Sequence, residues 1–359
     1  MRRYVLVEPF AGMAGVSFWT LGCKPPISWM GGKSGYSRVI AELLGLSRLN
    51  PPSAYVWGDV GPNIAALACL FGAAGSAEDV ARWFASSELA ARGDPAAGYA
   101  GEQERYDAGK CWTKPDIFGA ASKVESIPSP RAPEVAAIIR GWRDEEPRAL
   151  WTRLKAAGWP SLLLPKDHPG RWLGPQSVEE VAAWLLAIRW SFSEKGPEHG
   201  YGGPGCPVRT APGGWTTEGR DKALSIDRFS ELLEGNSSGP RVACWQGRAE
   251  DMRLPERLDG WIMYMDPPYS GTTGYKHGGC TRDAVLALAR DYDRRGATVA
   301  ISEAVRLDDA LPGWHAVQID GERVGTKRTF SRQQSEWVTM NRKPVVVPGV
   351  QASLFGGAA

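Results

Sequence analysis

The sequence is short of the features that settle a function class at a glance. Its six cysteines, at 23, 69, 111, 206, 244 and 280, include no CxxC pair, and there are four histidines in all. That spacing excludes a zinc finger and a disulfide framework, so no metal is expected. No apolar run approaches the roughly 20 residues that a membrane-spanning helix needs. The opening MRRYVLVEPF turns acidic at Glu8 with no cleavage pattern after it, so it reads as a first strand of a cytoplasmic protein and not as a signal peptide. An excess of one charge is missing too, since 42 Lys+Arg against 40 Asp+Glu leave +2. Such a balance admits nucleic acid as a partner only through a local basic face. No internal repeat is evident.

What is present is an α/β rhythm. YVLVEPF reads as a buried strand and AGMAG as a glycine-rich turn. SGYSRVIAELLGL (34–46) reads as a short amphipathic helix, AYVWGDV (54–60) as a second buried strand and GPNIAALACLF as a helix. Strands alternating with helices predict a parallel sheet. From about 86 glycine, proline and tryptophan become frequent and helices come in pieces, among them SVEEVAAWLLAIRW (177–190), where Ser177 and Glu180 form a capping-box signal. The rhythm returns near 242 with RVACWQG, WIMYM, a helix over 281–296, ATVAIS, WHAVQID and SEWVTMNR. The division that follows is 1–85 and 240–343 as one α/β domain, 86–239 as an insertion and 344–359 as a tail.

Three stretches carry chemistry. VEPFAGMAG runs a strand into a glycine-rich turn, the arrangement by which α/β folds admit nucleotide-like ligands to the backbone. YVWGDV sets Asp59 at the end of the next strand, where a carboxylate can accept from ribose hydroxyls; an ordinary solvated strand-end acid is the bland alternative. WIMYMDPPYSG ends a buried strand in Asp266-Pro267-Pro268-Tyr269. Two prolines stiffen the backbone. They can aim the Asp266 carboxylate and the Pro267 carbonyl one way, two acceptors matching the two N–H donors of an exocyclic amine. Tyr269 offers a flat face for a base taken out of its helix, and on that ground Phe or Trp is expected to serve at 269.

On these motifs the chain resembles the Dam-type DNA adenine N6 methyltransferases, which use S-adenosylmethionine. EPFAGMAG resembles that family's Glu-Pro-Phe-x-Gly-x-Gly cofactor loop, SWMGGKSGYSRVI its Trp-x-Gly-Gly-Lys motif, and WGDVGPNIAAL its Ala-Asp-Ile-Asn segment. DPPY is similar to its catalytic motif, and RTFSRQQSEWVTMNRKP to its closing basic loop and last strand. The resemblance implies a Rossmann-like methyltransferase sheet with a mostly helical target-recognition insertion. It implies cofactor contacts from Glu8, Pro9, Phe10 and Gly12 in the loop, from Trp29 and Lys33, and from Asp59 and Asp266. It gives catalysis to Asp266, Pro267, Pro268 and Tyr269. Two departures stand out: the Gly-Gly-Lys motif follows the cofactor loop instead of preceding it, and Ala14 occupies the place of the second glycine.

The insertion holds eight of the sixteen tryptophans, among them Trp112, Trp172 and Trp215. Most are expected in the core, with one or two free to stack on displaced bases. In SEKGPEHGYGGPG and the residues after it, Lys195, Tyr201 and Arg209 are candidate DNA contacts; a polar linker is the alternative. Lys327, Arg328 and Arg332 form a basic cluster suited to phosphates. In the tail, QASLF resembles the Gln-x-x-Leu-Phe peptides that dock on the bacterial sliding clamp, through Gln351, Leu354 and Phe355. Cytosine N4 in DNA is an alternative target, and a degenerate fold acting as a DNA-binding module is an alternative role.

Overall fold

The computed structural model describes residues 4–22, 25–27, 36–49, 51–72, 75–77, 79–81, 131–158, 162, 164–165, 168–174, 176–191, 226, 229–230, 233, 241–269, 280–319 and 336–345. The chain begins with β1 (Val5–Glu8), α1 (Gly15–Thr20), α2 (Ser37–Leu43), β2 (Ala54–Asp59) and α3 (Asn63–Phe71). There follow α4 (Ala132–Gly141), α5 (Pro147–Gly158), β3 (Arg171–Trp172) and α6 (Val178–Arg189). The last part holds β4 (Arg241–Gln246), β5 (Trp261–Met265), α7 (Arg282–Arg294), β6 (Thr298–Glu303), β7 (His315–Ile319) and β8 (Glu336–Met340).

The strands form one eight-stranded sheet in the order β3-β4-β2-β1-β5-β6-β8-β7. The five strands from β4 to β6 run parallel. β3 closes one edge antiparallel to β4, and β8 runs antiparallel to both β6 and β7. Taken alone, the parallel strands stand third, second, first, fourth, fifth across the sheet. The chain therefore reverses its direction of travel between β1 and β5. In open α/β sheets a crevice opens there, outside the carboxyl ends of the strands.

Both faces of these strands are covered, which is why they read as nearly unbroken apolar runs. Leu6, Tyr55, Trp57 and Ile262 face one cluster, together with Phe18, Leu43, Phe71 and Trp184 from α1, α2, α3 and α6. Val5, Val7, Val56 and Met263 face the other, against Val285, Ala289 and Tyr292 of α7. Trp57 ties the first cluster together. Its ring stacks on Phe18 at 6.0 Å and meets Phe71 edge-on at 5.3 Å. Truncation of a fully buried tryptophan of this kind costs about 3–5 kcal/mol.

Within the expected insertion, α4, α5 and α6 add their apolar stripes to the same cluster as the sheet. α4 and α5 run over 10 and 12 residues. One cap forms where the sequence places it, and a second opens α7. Ser177 Oγ accepts the Glu180 N–H at 3.3 Å, and Thr281 Oγ1 accepts that of Ala284 at 3.2 Å. Trp151, Trp184 and Trp190 are buried, and Trp172 rests edge-on against Trp245 at 5.3 Å. Among the described residues no helix is long and apolar enough to cross a membrane.

Candidate active site

The loop after β1 is built around a buried acid. Glu8 is 3 % exposed, and its carboxylate accepts the backbone N–H of Ser17 at 2.9 Å and the Ser17 hydroxyl. The Trp57 indole donates in turn to Ser17 Oγ at 2.9 Å. A charge this deep is disfavoured. Burial pushes the Glu8 pKa up to about 7 against the pull of the Ser17 bonds, and the nearby Asp266 carboxylate adds to the rise. Glu8 thus organises the start of α1 from within the protein.

The turn itself is left-handed twice. Gly12 has φ 52°, which glycine adopts without cost. Ala14 has φ 49°, alone among the described non-glycine residues in its positive φ. This is the place where alanine stands for the second glycine of the resembling motif. Ala14 is fully buried and leads directly into α1.

β2 clasps this turn. The Gly58 carbonyl accepts the Ala11 N–H at 2.7 Å. Asp59 accepts the Gly12 N–H at 2.8 Å through Oδ2 and the Gly61 N–H at 2.7 Å through Oδ1. Asn63, the first residue of α3, donates its amide to the Gly12 carbonyl. Its own Oδ1 is buried with no hydrogen-bond partner among the described residues. A β-carbon at Gly58 would meet the tip of the Met252 side chain, while Pro9 of the loop would stay at an ordinary contact distance of 3.4 Å. Asp59 therefore does more than cap a strand: it fixes the backbone of the loop opposite.

The third element is the end of β5. Pro267 is buried, while Asp266, Pro268 and Tyr269 are half-buried. Pro267 and Pro268 line a small pocket together with Glu303, Arg282 and Leu307. The Tyr269 hydroxyl donates to the carboxylate of Glu336, a fully buried residue at the start of β8. Burial together with Asp266 and Glu336 raises the Tyr269 pKa far above its ordinary value, so the phenol keeps its proton and remains a donor. Beneath it, the Tyr264 and Ser302 hydroxyls pair at 2.8 Å.

These segments converge because of topology. β1, β2 and β5 are neighbours in the order β2-β1-β5, and all three end on the same rim. The structure brings together Glu8, Pro9, Phe10, Gly12, Asp59 and Asp266 with Pro267, Pro268 and Tyr269. Pro9 is buried and Phe10 half-buried against the α7 side of the sheet. Trp29 and Lys33 lie outside the described residues, as do Lys195, Tyr201, Arg209, Lys327, Arg328, Arg332, Gln351, Leu354 and Phe355. Glu336 escapes a reading of the sequence. Its one signal is an acid opening an otherwise apolar strand.

Thiol chemistry is disfavoured at the described cysteines. Burial raises the thiol pKa of Cys69 to about 12 and pushes that of Cys244 up as well. Burial and the adjacent Glu250 hold Cys280 at about 12. The chain matches no protein-family model, and no curated protein aligns with it significantly.

Proposed function

We propose that the protein transfers a methyl group from S-adenosylmethionine to the N6 amine of an adenine flipped out of DNA. One observation carries this reading. The Asp266-Pro267-Pro268-Tyr269 segment ends a strand at the switch point of the sheet, beside a glycine turn that a carboxylate from the next strand holds in place. The parallel order and the reversed β8 suit a Rossmann-like methyltransferase sheet.

The residues fit the cofactor by their chemistry. Asp59 and Asp266 give the crevice an acidic character suited to a ligand with a sulfonium and an ammonium group. Asp59 sets a carboxylate at the end of β2 beside the glycine turn, a group whose chemistry suits ribose hydroxyls. When bound, the cofactor supplies an electrophilic methyl group.

The work of the chain is positioning. The lone pair of an adenine amine is delocalised into the ring. The Asp266 carboxylate and the Pro267 carbonyl accept its two N–H groups and draw the nitrogen toward tetrahedral geometry. Tyr269 supports the base by stacking. Rate then comes from alignment and from acceptors already in place. Asp266 is also the carboxylate at hand for the proton that the methylated amine releases.

The remaining assignments belong to the same reading: duplex DNA as partner, positioned by the Lys327, Arg328 and Arg332 cluster, a cytoplasmic setting, and a clamp-binding tail at Gln351, Leu354 and Phe355. Incubation with unmethylated duplex DNA and labelled cofactor, followed by a nucleoside digest, tests the function. Label in N6-methyladenine supports it; label in N4-methylcytosine moves the target to cytosine. Absence of both, with cofactor bound, leaves a binding module.

A further inference from the structure

We propose that Glu336 is a positioning residue for this methyl transfer, holding the plane of Tyr269 against which the target base stacks; the proposal rests on the functional reading above. The topology puts Glu336 in place. β8 runs against β6, with Trp337 opposite Glu303, the last residue of β6. The first residue of β8 therefore reaches the rim where β5 and β6 end. From there it accepts the Tyr269 hydroxyl, 67 residues away in sequence.

The kind of acceptor is informative. Tyr264, two residues before Asp266, has a fully enclosed ring, and its hydroxyl is met by the neutral Ser302 at 2.8 Å. Core packing asks no more than that. Tyr269, half-buried at the crevice, is met by a carboxylate with no exposure. Burying a carboxylate is costly unless it is well bonded. In return, charge-assisted hydrogen bonds are shorter and roughly twice as strong as neutral ones. Pro268 restrains the ring at its backbone end and Glu336 at its hydroxyl end. A stacking surface fixed at both ends loses little order when a base arrives. On this account a bare aromatic face is not enough at 269.

The test compares Glu336→Gln, Glu336→Ala, Tyr269→Phe and the Ala/Phe double variant in the full chain. Methyl transfer to unmethylated genomic duplex DNA gives kcat and KM, and calorimetry gives cofactor affinity. Glu336→Ala and Tyr269→Phe should each lower kcat, by up to the order of a hundredfold expected for a misplaced reacting group, with cofactor affinity unchanged. Glu336→Gln keeps an acceptor oxygen but loses the charge, and should restore part of the rate. The double variant should be no worse than the poorer single one, because both remove the same bond. Wild-type kcat in Tyr269→Phe, or losses that multiply in the double variant, would overturn the role; Tyr269→Phe keeps the test decisive if Glu336→Ala does not fold. A wild-type protein that transfers no methyl group overturns the functional reading itself, and this role with it. An active wild type with an equally active Glu336→Ala overturns the positioning role alone.

Discussion

Asp59 reaches from the end of β2 to accept the backbone N–H of Gly12 at 2.8 Å, so the acid of one strand sets the shape of the loop after its neighbour. A single side chain then serves both the loop and the proposed ribose. Asp59→Ala should lower the melting temperature and weaken cofactor binding together. The affinity loss should be about 1–3 kcal/mol, the scale for a hydrogen bond to a charged group. Asp59→Asn, which keeps one acceptor oxygen, should fall between. Calorimetric titration and thermal melts check this; unchanged values for Asp59→Ala would leave the clasp without consequence.

Glu8 makes stability depend on pH in a defined window. Its folded pKa is about 7 against an ordinary 4.5. The folded state therefore holds the proton more tightly than the unfolded one. The resulting stabilisation is complete below about pH 4.5 and is lost as pH rises to about 7, in total about 3 kcal/mol. Glu8→Gln cannot titrate and still accepts from Ser17. The difference in unfolding free energy between wild type and Glu8→Gln should shift against wild type across that window. Two curves that stay parallel from pH 4.5 to 7.5 would contradict the burial of an ionisable carboxyl here.

Ala14 tests the turn. A left-handed conformation costs an L-residue about 1–2 kcal/mol, while the buried methyl returns about 0.8 kcal/mol. Ala14→Gly should therefore change stability by less than about 1 kcal/mol. Ala14→Val places a β-branched residue at positive φ in a closed site, and should cost more than about 2 kcal/mol. Denaturant titration of the three proteins decides it. A well-tolerated valine would mean that the turn does not take this shape.

How much of this was legible depended on the range of each interaction. β1, β2, β4, β5 and β6 announce themselves because both their faces are buried, and α7 because it falls between two of them in the alternating rhythm. α4 and α5 were hidden by the proline- and tryptophan-rich composition around them. β3 was hidden because two residues, Arg171 and Trp172, become a strand only by pairing with Gln246 and Trp245. Asp59 could be recognised as a strand-end acid, but its bond to Gly12 depends on β1 and β2 lying side by side. Glu336 and Tyr269 meet through a sheet order that no local pattern encodes.

The most direct measurement is methyl transfer by wild type and Asp266→Ala to unmethylated duplex DNA, read as N6-methyladenine after nucleoside digestion, with melting curves to confirm that both proteins fold. The expected result is labelled N6-methyladenine from wild type and a loss of at least about a hundredfold in Asp266→Ala, the scale for removing an acceptor aimed at the reacting group. Near-normal turnover by Asp266→Ala, or no methylated adenine from a folded wild type that binds cofactor, would contradict the account.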